Sequence, residues 1–156
     1  MGGLYQAFSL VLLATALVAP AAQSQSGQSD PRQGQLEYSQ GHAYMGSESV
    51  KWEHDRLVFV KRVADMKGSF RETVERLEPS AEAWERFWAR IDSLGVWKWK
   101  SDYSDPQRNL PDGESWSLAL RHRANQVKSK GYNAVPEGYS VFRDAVYKLI
   151  EEASGN

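Results

Sequence analysis

The feature that most constrains the fold is an aromatic stripe. Trp84, Phe87, Trp88, Ile91 and Leu94 recur at spacings of three and four residues, the period of one face of an α-helix. A helix with two tryptophans and a phenylalanine on one side needs a second layer to bury that side. Its ends are also written locally. Ser80 is placed to cap the free amides, Glu82 and Glu85 suit the positive end of the dipole, and Gly95 can take the left-handed conformation that stops the helix. The chain has six tryptophans, which raises the question of sugar stacking, but Trp84, Trp88, Trp97 and Trp99 all sit in patterns that bury them.

The second layer is legible as alternation. Trp116, Leu118 and Leu120 alternate with Ser117, Ala119 and Arg121 over residues 115–123, and Trp97 and Trp99 alternate with Lys98 and Lys100 over residues 96–103. Both have the period of half-buried strands. After a polar turn at residues 124–126, residues 127–132 can return as a hairpin partner. Residues 56–62, RLVFVKR, are dense in β-branched and aromatic side chains and read as a strand, with residues 50–54 as a candidate neighbour. Over residues 68–77 two periods compete. Phe70, Val74 and Leu77 fall at helical spacing, but Thr73, Val74 and the stop at Pro79 favour a strand. A second amphipathic helix over residues 137–152 gathers Tyr139, Phe142, Val146, Leu149 and Ile150 on one side. This order predicts an α+β fold, an antiparallel sheet of four to five strands with two helices packed on one face as a two-layer sandwich.

Upstream, residues 7–22 read AFSLVLLATALVAPAA, uncharged, broken by Pro20, with Ala19 and Ala21 spaced as Ala-x-Ala. The run is shorter than the ~20 residues a bilayer requires and lacks a basic stop-transfer flank, so no stable membrane span is expected after processing. Residues 23–35 contain no branched aliphatic or aromatic side chain with which to form a core. The expected division is a signal peptide over residues 1–24, a flexible Gln/Ser/Gly-rich tether over 25–45 and one domain over 46–156, secreted or periplasmic.

Composition excludes several function classes. Nineteen cations against twenty acids leave a net charge of -1, so no global field recruits nucleic acid. The absence of cysteine rules out disulfides, a thiol nucleophile and a thiolate zinc site. There is no nucleophile elbow, phosphate-cradling glycine loop or dinucleotide fingerprint, and no cofactor is expected. His42, His54 and His122 are far apart and have no metal-ligand spacing. Glu53-His54-Asp55 sets acid and base types side by side, yet neighbours on a strand point to opposite faces. Asp102, Asp105, Asp112 and Glu114 form an acidic loop, but their spacing does not match a calcium loop, and Asp, Pro and Gly are also turn residues. No catalytic or metal-binding residue is assigned. A carboxylate pair such as Asp112 with Glu114 supports a rival reading, a small hydrolase using the acidic loop.

The surface left over is the other side of the sheet. With Trp97, Trp99, Trp116, Leu118 and Leu120 facing the helices, alternation sends Lys98, Lys100, Arg121 and Arg123 outward, and Lys128 and Lys130 join them from the hairpin partner. Seven cations stand against four acids over residues 96–132, while Glu82, Glu85, Asp92, Asp144, Glu151 and Glu152 lie on the helices. These observations predict an exported, non-catalytic binding or envelope-associated module. Its partner, an anionic protein or envelope polymer, would meet Lys98, Lys100, Arg121, Arg123, Lys128 and Lys130.

The series WERFWARI, WKW, LPDGESWSLAL and KGYNAVPEGYSVF, across residues 79–150, resembles small bacterial exported domains of unknown function. These carry a helix Trp, a strand Trp followed by Tyr (here Trp99 and Tyr103), Asp-Gly-x-x-Trp-x-Leu, and Gly-x-Asn-x-x-Pro before the last helix. The resemblance implies an order of elements and brings no activity or catalytic residue with it.

Overall fold

Six strands and two α-helices are present in the computed structural model, which describes residues 30–42, 44–65, 68–104 and 113–155. Strands β1 (Gly34–His42), β2 (Gly46–Glu53), β3 (Arg56–Ala64) and β4 (Phe70–Leu77) form a meander, followed by helix α1 (Ala81–Leu94). The chain then returns as the hairpin β5 (Glu114–His122) and β6 (Asn125–Tyr132) and ends in α2 (Tyr139–Ala153). Every pairing is antiparallel and the spatial order is β4-β3-β2-β1-β5-β6. The first strand therefore lies inside the sheet, with Tyr38 opposite Val50 on one side and Leu118 on the other. The expected α+β class, antiparallel sheet and two helices are the observed ones.

Local chemistry sets the helix ends as anticipated. Ser80 Oγ accepts the N–H of Ala83 at 3.1 Å, and Gly95 terminates α1 with φ 65°. The stripe of α1 is buried from Ala83 to Ile91, and α2 buries Tyr139, Phe142, Val146, Leu149 and Ile150. Trp84 meets Trp52 edge-on with ring centres 4.9 Å apart, and Trp88 stacks on His122 at 4.4 Å. Those contacts seat α1 across β2 and the end of β5. Phe142 packs on Tyr38 at 5.4 Å and Trp99 at 5.5 Å, which seats α2 over β1. Truncating a wholly buried ring such as Phe142 to alanine removes about 3–5 kcal/mol.

The sheet has six strands rather than the expected four to five: residues 50–54 and 68–77, each a candidate, both belong to strands, and β1 arises within residues 25–45, which were expected as a tether. The sequence of β1, GQLEYSQGH, offers only Leu36 and Tyr38 as apolar alternation, too little to mark a strand locally. Its place comes from its neighbours, since Leu36 is buried opposite Leu120. A second correction concerns residues 96–103, expected as a strand. Val96–Lys98 is a 3-10 turn, held by Lys98 N–H to Gly95 O at 3.0 Å and Trp99 N–H to Val96 O at 3.0 Å. The alternation of Trp97 and Trp99 misled because the chain turns immediately after the helix stop. Trp97 donates to Asp92 Oδ1 at 2.6 Å, whereas Trp99 packs against Trp116 and Phe142. His54 and Asp55, expected on or beside a strand, form the β2–β3 turn with φ of 48° and 62°.

Candidate binding face

The helices cover one face of the sheet, and among the described residues no element packs on the other. Its central strands present small side chains: Ser39 and Gly41 from β1, Ser47 and Ser49 from β2, and Ser115, Ser117 and Ala119 from β5. Directly opposed Ser39 and Ser117 share a hydrogen bond between their Oγ atoms at 2.8 Å. The lack of bulk leaves a trough of about 560 Å³ over the middle of this face, bordered by Glu37, Lys51, Lys128 and Lys130.

Of the six cations assigned to this face from sequence, Arg121, Lys128 and Lys130 lie on it, exposed, by their position in β5 and β6. Arg123 sits at its end, in the β5–β6 turn with φ 54°. Lys98 and Lys100 are not on a strand of this face, because the alternation that was expected to turn them outward belongs to a segment that is not a strand of the sheet. Lys98 belongs to the 3-10 turn, and Lys100 begins a segment that runs beside the outer edge of β6. In that segment Tyr103 N–H donates to Lys130 O at 2.9 Å, and Ser101 O accepts from Lys130 N–H at 3.1 Å. Lys130 Nζ lies 3.4 Å from Asp102, an exposed pair worth at most about 1 kcal/mol.

Sequence reasoning missed the other half of the face. Pairing places Lys51, Arg56, Arg62 and Arg76 on the same side as Arg121, Lys128 and Lys130. Against these seven cations stand Glu37, Glu53 and Glu72 on the described strands. Counting by twos from Trp52, Phe59 and Leu77, which face the helices, would have found them. Lys51 pairs with Glu53 at 3.2 Å and Arg62 with Glu72 at 3.5 Å, whereas Arg76, Arg121 and Lys128 make no ion pair among the described residues. The helix layer has the opposite balance. Glu82, Glu85, Asp92, Glu137, Asp144, Glu151 and Glu152 there outnumber Arg86, Arg90, Arg143 and Lys148. A nearly neutral chain thus has one cationic side.

A second polar cluster lies at the helix-facing rim of the core. Gln40, Glu48 and Lys61 stand in one row across β1, β2 and β3, and Tyr147 of α2 closes over them. Glu48 accepts hydrogen bonds from Tyr147, from Lys61 Nζ at 3.1 Å and from Gln40 Nε2 at 3.3 Å. Partial burial opposes its ionisation, but these donors outweigh that and hold its carboxyl below the ordinary carboxylate value. Burial, reinforced by Glu48, pushes the Tyr147 phenol up, and burial with the Tyr139 hydroxyl at 3.0 Å does the same to Tyr38. A carboxylate so firmly held as an anion is poorly suited to general acid catalysis, and the cluster reads as a polar clasp between sheet and α2.

The other residues singled out from sequence lie elsewhere. Asp105 and Asp112 of the acidic loop lie outside the described residues. Asp102 is held below the usual carboxylate range by hydrogen bonds from Ser104 and by Lys130, and Glu114 opens β5. His42 ends β1, His54 is in a turn and His122 is buried against Trp88. Among the described residues no three acids or histidines converge as a metal site. No helix there is long and apolar enough to cross a membrane. In comparison with known proteins, the chain matches no family model and no curated protein.

Proposed function

We propose that this chain is an exported, non-catalytic binding module, freed of residues 1–24, that holds an anionic polymer of the cell envelope on its open sheet face. The observation that carries the reading is the charge of that face, seven cations to three acids on its strands with Glu78 and Asp102 paired to Arg56 and Lys130 at its margins, while the helix layer is acidic. Charge of one sign gathered on one side draws a polyanion and orients it. The trough favours a hydrophilic polymer over a folded protein. The side chains turned to it from the central strands are Ser39, Ser49, Ser117 and Ala119, too small to offer the large aromatic or aliphatic anchor on which protein interfaces concentrate their energy.

Binding of the processed chain to a glycerol phosphate polymer and to poly-L-glutamate, measured by calorimetry at low and high salt, tests the reading. The phosphate polymer is expected to bind, to weaken with salt, and to be lost on Arg121→Glu/Lys128→Glu/Lys130→Glu, a variant that changes only exposed side chains. Preference for poly-L-glutamate would transfer the face to an acidic protein partner. Binding that the triple variant leaves unchanged would remove the open face from the function.

A further inference from the structure

The two edges of the sheet are treated differently. Residues 101–103 pair with Lys130 on the outer edge of β6, whereas β4 pairs with β3 alone among the described residues. Every residue of β4 is exposed except half-buried Leu77, and Phe70 and Val74 keep 45% and 44% of their surface in water. An uncovered edge is a template for another strand, and proteins that avoid such pairing place Lys or Pro there. The sequence of β4, FRETVERL, has neither Lys nor Pro, and its edge charges are balanced, Arg71 and Arg76 against Glu72 and Glu75.

Two of its four charges, Glu72 and Arg76, lie symmetrically about Val74 and complement each other across a two-fold axis. An antiparallel pair related by a two-fold axis normal to the sheet at Val74 keeps each face on its own side. It sets Val74 opposite the second copy's Val74, and Glu72 opposite the second copy's Arg76, twice by symmetry. On the helix side the same register brings Thr73 opposite the second copy's Glu75, a hydroxyl facing a carboxylate. Within one copy Val60 already pairs with Val74, and Arg62 lies 3.5 Å from Glu72. An apolar row therefore crosses the seam beside alternating charges.

We propose that β4 pairs with β4 of a second copy, centred on Val74, to build one continuous sheet whose open face runs across the seam. The inference is independent of what that face binds.

Sedimentation velocity of the chain recovered from its host, over a range of concentrations, provides the test. The wild type sediments as a dimer. Glu72→Arg and Arg76→Glu each place two like-charged pairs at the seam and raise the dissociation constant about tenfold or more, while the double variant restores the dimer. Val74→Lys, which sets two lysines on the axis, dissociates it as well, and circular dichroism melts verify that these exposed changes leave the fold intact. A wild type that stays monomeric assigns the edge to some other strand and overturns the proposal. So do single variants that remain dimeric, or a double variant that does not recover.

Discussion

The indole of Trp116 lies across Gly131, its opposite number on β6, and donates its N–H to the carbonyl of Ala134 at 2.9 Å. The neighbouring contacts interlock in the same way. Gly113 N–H donates to the Tyr132 hydroxyl at 3.0 Å, and Asn133, with φ 54°, accepts the N–H of Glu114 on its Oδ1 at 2.9 Å. The Gly-x-x-Trp part of one sequence motif and the Gly-x-Asn part of the other are thus two halves of one lock, which fixes the path from β6 into α2.

Gly131→Ala is expected to destabilise the fold by about 1–3 kcal/mol, because a methyl group there would lie 2.4 Å from Trp116 Nε1 and 2.5 Å from Ala134 O. Urea unfolding measures it. The penalty shrinks in a Trp116→Phe background, which removes the nearest atom.

Ser80→Ala should cost about 1 kcal/mol, since the hydroxyl that accepts the Ala83 N–H is the side-chain cap of α1. Ser80→Asp, which keeps an acceptor at the positive end of the dipole, should hold the wild-type midpoint. A small change with alanine would show that packing of the aromatic stripe alone sets the start of the helix.

His122 introduces a pH dependence. Burial against Trp88, with Arg123 as the next contribution, holds its imidazole below the ordinary value of 6.5. The unfolded chain takes up that proton first, so the contribution of His122 is complete above pH 6.5 and declines as pH falls below it. His122→Phe, which keeps a flat ring on Trp88, should flatten the stability profile in that window, measured by urea unfolding at a series of pH values.

The Glu48 clasp gives the same sign from a lowered carboxylate. Its carboxyl ionises more readily in the folded state than at the ordinary 4.5, so its contribution is present above pH 4.5 and is lost as pH falls through the lower folded value. Glu48→Gln should remove that acid-side decline. Tyr147→Phe should weaken the clasp by about 1.5–3 kcal/mol, the range for a hydrogen bond to a charged group.

Legibility followed the range of the interactions. Both helices, the cap at Ser80 and the stop at Gly95 were readable because their hydrogen bonds and apolar spacing repeat within a few residues. β3, β5 and β6 were readable from their side chains alone, β3 from its β-branched and aromatic density and the hairpin of β5 and β6 from its alternation and turn. β1 was not, because Leu36 and Tyr38 become core only when β2 and β5 flank them. Residues 96–103 have the period of a strand, yet the left-handed Gly95 directs Val96–Lys98 into a turn, and only Asp102 then pairs in strand fashion, with Lys130. The candidate face was half visible: Arg121, Lys128 and Lys130 from hairpin alternation, but Lys51, Arg56, Arg62 and Arg76 only once the register of β2, β3 and β4 was known.

The amino-acid sequence by itself determined which side chains each helix and most strands would bury, since period and capping act locally. Tertiary structure decided the sheet order, the central place of β1 and the meeting of Glu48 with Tyr147, which are 99 residues apart. It also decided which cations share one open face. The physical reason is that a strand has no internal hydrogen bonds. Its pairing partners, and hence the company its charges keep, are chosen by burial and register across the whole chain.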